Sequence, residues 1–200
     1  MKRKGPVMNK MLTALALVLG LTTSASAATI DGYLNDEGKV VLTLEGEIKP
    51  GDSKKMQDLI DQVHWKNREV IALRLSSPGG NMMEGVHIAD IVNDNKLATV
   101  VVNNTFCASA CFIAFAAGHE KYASAHSSLG VHGAANKDGK QDVDSMSATV
   151  VMAKILNMMH VPVSVIGKMV ITPPEEMVWL KMEDMQQWDV HVTGLPKKGR

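Results

Sequence analysis

Ser109 stands near the start of an almost wholly apolar run, F-C-A-S-A-C-F-I-A-F-A-A-G, at residues 106–118. The only two cysteines of the chain, Cys107 and Cys111, lie on either side of it. A serine in this position is most often the N-cap of the helix that follows. It also suits nucleophilic catalysis, because a free N–H at a helix start, here that of Ala110, stabilises the oxyanion formed when a hydroxyl attacks a carbonyl. That function requires a base within reach.

The turn S-P-G-G-N at residues 77–81 is the second candidate for chemistry. Pro78 has no N–H, and two glycines permit a backbone path that other residues cannot follow. Asn81 and Glu84 have the spacing of a capping box, which explains the turn as a simple strand-to-helix connection. The alternative is that Gly80 directs its N–H into a cleft, where it binds a developing negative charge.

His132 is the candidate base among seven histidines, because it ends the apolar segment L-G-V-H-G and the flanking glycines leave room around its ring. His119, His126 and His132 could be considered as metal ligands. Their spacing is loose and no clustered carboxylates accompany them, so we expect no metal site.

Strands and helices must bring these three segments together. β-Branched and apolar runs predict strands at residues 40–48, 69–77, 97–104 and 127–133. Helical spacing predicts helices at residues 53–65, 81–92, 106–118 and 142–159, a helical piece after Pro162, and another helix starting at Pro173. The helix at 142–159 is amphipathic, with its apolar positions including Val143, Met146, Val150, Val151 and Met158. This alternation indicates an α/β fold with crossover connections.

The first 27 residues have the pattern of a secretory signal peptide. A basic start (Lys2, Arg3, Lys4 and Lys10) precedes an apolar stretch at residues 11–21 and the small-residue site A-S-A at 25–27. A membrane anchor is the alternative, but a bilayer span needs about 20 apolar residues. We expect cleavage between Ala27 and Ala28 and export to an oxidising compartment, most simply a bacterial periplasm.

The composition suits one domain at residues 28–200, because 46% of the residues are apolar and can form a core. The full chain has 21 basic and 21 acidic residues, but cleavage would remove four basic residues and no acidic ones. A mildly acidic chain without a basic cluster is a poor candidate for binding nucleic acid. We therefore expect no nucleic-acid partner.

The three segments, in their order and spacing, resemble the Clp-protease/crotonase superfamily, and in particular its Clp protease proteolytic subunit and signal peptide peptidase A branches. The resemblance spans residues 38–192 and is most specific at 74–134. It implies a ClpP/crotonase-like fold with repeated β-β-α units. It also implies that Ser109 is the nucleophile, that His132 is the base, and that the amides of Gly80 and Ala110 form an oxyanion hole.

The third catalytic residue departs from the family pattern. The Clp subunit carries a late aspartate that orients its histidine, whereas the corresponding stretch here is I-T-P-P-E-E-M-V-W-L. Thr172 or Glu175 could replace that aspartate, or the site could be a dyad. Asp142 and Asp144 follow the histidine and are expected to be solvated charges at a helix start.

Three functions fit these residues. The first is a secreted serine hydrolase, a peptidase acting on small or unfolded peptides without a cofactor and without an ATPase partner, since ATP-driven unfoldases work in the cytosol. The second is a binding or scaffold protein that kept the fold and lost efficient turnover. The third is acyl-coenzyme A chemistry, which we disfavour because an exported protein would not meet coenzyme A. A fold alone does not decide between functions.

Cys107 and Cys111 are expected to be bonded to each other, since the chain offers no other partner and an oxidising compartment favours pairing. Within a regular helix, positions four apart approach the upper limit of disulfide reach. If the helix begins at Ser109, however, Cys107 lies outside it and can turn back toward Cys111. The alternative is two buried thiols that act as small apolar side chains.

The mature protein is expected to self-associate. The Met-rich helix around residues 146–159 resembles the segment through which Clp subunits contact each other. The alternative is that this helix only covers its own sheet.

Overall fold

The computed structural model describes residues 27–195. Most of the predicted signal peptide lies outside these residues. At the predicted cleavage site, Ala27 forms an isolated β-bridge with Glu47, and Ala28 is buried against the core.

Within residues 27–195 strands and helices alternate along the chain. The strands are β1 (Thr29–Leu34), β2 (Val40–Glu45), β3 (Val70–Ser76), β4 (Ala98–Val101), β5 (Phe106–Ala108), β6 (Lys121–Ser124), β7 (Ser128–Val131), β8 (Val178–Trp179) and β9 (Val190–Thr193). The helices are α1 (Asp52–Trp65), α2 (Met82–Asp94), α3 (Ala110–Ala116), α4 (Val143–Met158), α5 (Val163–Ile171) and α6 (Met182–Gln186).

The strands form two sheets. A six-stranded sheet has the order β1-β2-β3-β4-β6-β9, in which only β1 runs antiparallel to its neighbour. A smaller sheet has the order β5-β7-β8, with β5 and β7 parallel. The two sheets meet where Ser77, just after β3, bridges Cys107 in β5. Parallel neighbours joined through helices are the α/β architecture expected from the sequence, and the fold is ClpP-like.

The core lies between the large sheet and its helices. Alternate residues of β2 and β3, such as Leu42, Leu44, Leu73 and Leu75, have no exposed surface. Every residue of α3 is buried, so this helix is the centre of the core, as its uniformly apolar sequence predicts.

Aromatic side chains close one end of this core. Trp188 packs on Phe112 and Phe115, with ring centroids 5.6 and 5.9 Å away. Among residues 27–195 no helix is long and apolar enough to span a membrane.

One strand was not predicted from the sequence, and three predicted elements were wrong in type or extent. The polar segment after the signal peptide contains β1, an edge strand that its burial pattern leaves mostly exposed. Residues 106–108 are strand β5 rather than the first turn of the buried helix. The predicted strand at 97–104 is shorter, since β4 ends at Val101. No helix starts at Pro173; a turn and β8 come first, and α6 begins at Met182.

The apolar positions that define α4 as amphipathic in the sequence do not lie on its buried face. Its buried residues are Ser145, Thr149, Met152 and Leu156. The five apolar residues named in the sequence, Val143, Met146, Val150, Val151 and Met158, are all exposed. The polar residues can be buried because Thr149 donates to the Ser145 carbonyl and Ser145 donates to that of Asp142.

Candidate active site

Ser109 occupies a sharp strand-to-helix turn between β5 and α3. Its backbone has φ 55° and ψ −124°, a conformation that non-glycine residues rarely adopt. The Ser109 N–H donates to the Gly130 carbonyl at 3.0 Å, and its carbonyl accepts from the Phe112 N–H at 2.9 Å. Its hydroxyl makes no capping bond to α3 within the described chain. The simple N-cap explanation of this serine therefore does not hold.

A disulfide joins the two sides of this turn. Cys107 in β5 and Cys111 in α3 are bonded, with Cα atoms 5.2 Å apart and no exposed surface on either residue. Because α3 begins at Ala110, Cys107 lies outside the helix, which is the arrangement that makes a bond between residues four apart feasible. The crosslink encloses Ser109.

The S-P-G-G-N turn packs directly against Ser109. A side chain at Gly79 would place its Cβ 2.7 Å from the Ser109 Cβ and 2.9 Å from the Ala110 nitrogen. Gly79 and Gly80 have φ 96° and 138°, so glycine is required at both positions. The Asn81 side chain caps α2 by accepting from the Glu84 N–H at 3.0 Å. The turn is therefore both a helix cap and a wall of the site.

Two backbone N–H groups beside Ser109 have no hydrogen-bond acceptor in the described chain. Neither the Gly80 N–H nor the Ala110 N–H donates a hydrogen bond to any residue in the range 27–195. Ala110 is buried, and a buried N–H is normally paired, so its free N–H beside Ser109 needs an external acceptor. Gly80 is exposed, and its free N–H is accessible to an acceptor in the same cavity. Both residues line one cavity of about 610 Å³ with Ser109 and His132.

His132 follows β7 and reaches the same cavity. Its ring is half-buried, and its Nδ1 is buried without a hydrogen-bond partner among the described residues. Burial lowers the pKa of His132 below its ordinary value, which keeps the ring neutral and able to accept a proton near neutral pH. The structure shows no hydrogen bond between His132 and Ser109 in the described part of the chain. Such bonds are often long before substrate binds.

In the described chain neither proposed third residue hydrogen-bonds to the buried His132 Nδ1. Thr172 is buried and adjacent, since its carbonyl accepts from the Gly133 N–H at 2.9 Å. Its hydroxyl, however, donates to the Lys168 carbonyl at 2.6 Å. Glu175 is exposed and does not hydrogen-bond to the His132 Nδ1 within the described residues. Asp142 caps α4 by accepting from the Ser145 N–H. Among the described residues no acidic side chain hydrogen-bonds to His132.

Pro78 and Asn81 of the turn also line the cavity. The rest of the wall is mostly apolar and comes from residues outside the sequence motifs, namely Met82, Met83, Ala134, Ala135, Ala148 and Met152, with Glu47, Asn136 and Lys137 as polar groups. α4 contributes only Ala148 and Met152. His119 and His126 are exposed and do not join His132, and residues 27–195 contain no cluster of metal-binding side chains.

A serine on a strained turn, a neutral histidine and two free amides around one cavity are the parts of a serine hydrolase of the ClpP/crotonase type. Sequence comparison gives the same class: the profile of the Clp protease family matches residues 22–171. The chain belongs to the Clp protease family. No curated protein matches it by sequence.

Solved structures with a similar fold include proteases. ClpP1 from Listeria monocytogenes superposes with a TM-score of 0.59 at 13% identity, covering 77% of this chain and 92% of that one. The ClpP catalytic domain from Plasmodium falciparum gives 0.58 at 19% identity, covering 78% and 86%. The 1510-N membrane-bound stomatin-specific protease gives 0.57 at 13% identity, covering 75% and 76%. At these identities the similarity establishes the fold.

Proposed function

We propose that this protein is an exported, ATP-independent serine peptidase that cleaves small or unfolded peptides with Ser109 and His132. The observation that carries the proposal is the pair of unpartnered amides, Gly80 and Ala110, beside a serine held at φ 55°. The test is time-dependent labelling of the purified protein by a fluorophosphonate, together with hydrolysis of unfolded casein. A wild-type protein that does neither would leave a binding protein as the better interpretation.

In the proposed reaction the His132 Nε2 accepts the Ser109 proton while Oγ attacks the peptide carbonyl. The carbonyl oxygen becomes an oxyanion that accepts from the Gly80 and Ala110 N–H groups. Collapse breaks the C–N bond, and His132 gives its proton to the leaving amine. Water then hydrolyses the acyl-enzyme by the same steps, and the serine hydroxyl is regenerated.

The absence of an acidic residue that orients His132 determines how fast a turnover we expect. When Nε2 accepts the proton, Nδ1 must carry a hydrogen, and this atom is buried without an acceptor in the described chain. Loss of the orienting aspartate in a triad costs about 10⁴-fold in kcat. We therefore expect slow turnover, which a dyad permits and which suits a protein acting on scarce or already unfolded substrates.

The rate should rise with pH, with a midpoint below the ordinary histidine pKa. The reaction needs neutral His132, and burial lowers the pKa of this ring. The acid limb of kcat/KM reports the base of the free enzyme, so its midpoint should lie below about 6.5, the ordinary histidine value. A profile of fluorophosphonate labelling against pH measures it. A midpoint above 6.5, or the same limb in His132→Ala, would contradict the assignment.

Export to a periplasm is part of the proposal. It is supported by the signal-peptide pattern of residues 1–27 and by the disulfide, since disulfides persist in oxidising compartments.

Self-association through α4 is also proposed. The exposed face of this helix carries Val143 and Met158, which are 79% and 77% exposed, with Val150 and Val151 between them. Antiparallel pairing about a two-fold axis between Val150 and Val151 would place Val143 against Met158 of a second copy. The face is mostly apolar, with Ser147 and Lys154 as its polar members, and its symmetry favours an identical partner.

Substitution Val150→Glu should therefore convert an oligomer into a monomer in sedimentation velocity at micromolar concentration. Two carboxylates would face each other across the axis in an apolar contact. Val163→Glu is the matched control, because Val163 is 78% exposed on α5 and should leave the assembly unchanged. A monomeric wild-type protein across this concentration range would refute the assembly.

A further inference from the structure

Ser77 is a fully buried serine that the proposed reaction does not use. It follows β3 and has no exposed surface. Its hydroxyl oxygen accepts from the Gly79 N–H at 3.0 Å. Its backbone pairs with β5, since the Ser77 N–H donates to the Phe106 carbonyl at 2.9 Å and its carbonyl accepts from the Ala108 N–H at 3.1 Å. One residue thus connects the glycine turn to the strand that leads into Ser109.

The hydrogen bonds of the turn leave one N–H for the cavity. The Gly79 N–H is taken by Ser77, and the Gly79 carbonyl accepts from the Ile48 N–H at 2.7 Å. The Asn81 N–H donates to the Ile48 carbonyl at 2.8 Å. Only the Gly80 N–H has no partner in the described chain, and Gly80 lines the cavity. The direction of this amide is set by the bonds on either side of it.

We propose that Ser77 is a positioning residue for the oxyanion hole, an inference that rests on the proposed peptidase function. The two glycines have wide conformational freedom, so their peptide groups need an external constraint. The Ser77 hydroxyl fixes the Gly79 amide, and the Ser77 backbone fixes the distance to the β5–Ser109 turn. Ser77 therefore sets the spacing between the Gly80 and Ala110 N–H groups, which belong to different segments.

The test compares Ser77→Ala with the wild type, using a peptide ester substrate and the corresponding peptide aldehyde. The aldehyde is a sensitive probe because Ser109 Oγ adds to its carbonyl and the resulting oxyanion occupies the hole, while the serine proton passes to His132. Loss of one oxyanion donor costs about 10²–10³-fold in kcat, and a misaligned donor should cost less. We expect kcat to fall about tenfold or more, aldehyde affinity to fall in parallel, and KM to stay within about twofold.

Two controls separate positioning from general destabilisation. Ser124→Ala removes a hydroxyl that is only 4% exposed and that accepts from the His126 N–H at 3.1 Å, but it lies in β6 and outside the cavity. This variant should be less stable than the wild type. The ratio of its aldehyde dissociation constant to its KM should equal that of the wild type. Ser77→Thr and Ser77→Val introduce side chains of the same shape, of which only threonine keeps a hydroxyl. If Ser77→Ala does not fold, the ratio of the kcat values of these two variants measures the effect of the hydroxyl on catalysis.

Equal kcat and aldehyde affinity in the threonine and valine variants would overturn the proposal. The proposal would also be overturned if Ser77→Val failed to fold while Ser77→Thr was native and active. The hydroxyl would then serve stability alone. A wild-type protein with no labelling and no aldehyde inhibition would instead refute the peptidase function itself. The two failures are therefore distinguishable.

Discussion

Replacement of Ser109 by alanine should abolish both fluorophosphonate labelling and peptide hydrolysis. The hydroxyl is the only nucleophile proposed for the cavity, and its loss leaves the amides of Gly80 and Ala110 with nothing to act on. Removing the nucleophile or base of a comparable site lowers kcat by about 10⁶-fold, although a slow dyad has less activity to lose. We expect no labelling above background in Ser109→Ala and near-complete loss in His132→Ala.

The matched control is Ser128→Ala, which removes an exposed hydroxyl from β7. It should label at the wild-type rate. Mass spectrometry of the labelled wild type should place the adduct on Ser109, and peptide hydrolysis should fall in proportion to the labelled fraction. Equal labelling of wild type and Ser109→Ala would mean that the probe reacts elsewhere. The hydrolase function would then be wrong, and a binding role would replace it.

The parts of the site that sequence predicts are those fixed by local chemistry. The two glycines at 79 and 80 are required by their positive φ values, and a serine at the start of a buried helix is either an N-cap or a candidate nucleophile. The order of the three segments then identified the fold. Ser77 lies in the quoted turn, but its function depends on hydrogen bonds to Phe106 and Ala108, which are distant in sequence.

The errors have physical causes. Periodicity cannot separate a three-residue strand from a helix inside a continuous apolar run, so β5 was predicted as helix. Hydrophobicity alone does not locate the buried face of α4, because the hydroxyls of Ser145 and Thr149 donate to carbonyls of their own helix turn and can therefore be buried. Thr172 illustrates the same limit: it lies beside Gly133, but its hydroxyl is directed to Lys168.

Removal of the disulfide should have the second largest effect on activity. Ser109 is held at φ 55°. Such backbone conformations cost about 1–3 kcal/mol each and persist only where the surrounding structure enforces them. Cys107 and Cys111 enclose that turn, while a loop this small contributes little through chain entropy. Without the bond Ser109 can relax, and each 1.36 kcal/mol of relaxation would slow acylation about tenfold.

The measurement is the labelling rate of the double variant Cys107→Ala/Cys111→Ala, which leaves no reactive thiol. We expect it to label about 10–100 times more slowly than the wild type, with a smaller effect on the unfolding midpoint. Ile113→Val is the control, because Ile113 is buried in the same helix and its truncation costs stability without touching the turn. A double variant that labels at the wild-type rate would show that packing alone holds Ser109.

The disulfide itself is tested on protein recovered from the periplasm. The N-terminus of this protein should be Ala28. Thiol counting under denaturing, non-reducing conditions should find no free thiol per chain.

Both sulfur atoms lack exposed surface, so mild reductant should not lower the labelling rate of the folded protein. Two free thiols in this material would exclude the bond, and the rapid loss of labelling in mild reductant would show instead that the turn opens readily. Persistence of labelling until the chain unfolds would show that the disulfide is a permanent support of the nucleophile rather than a redox switch.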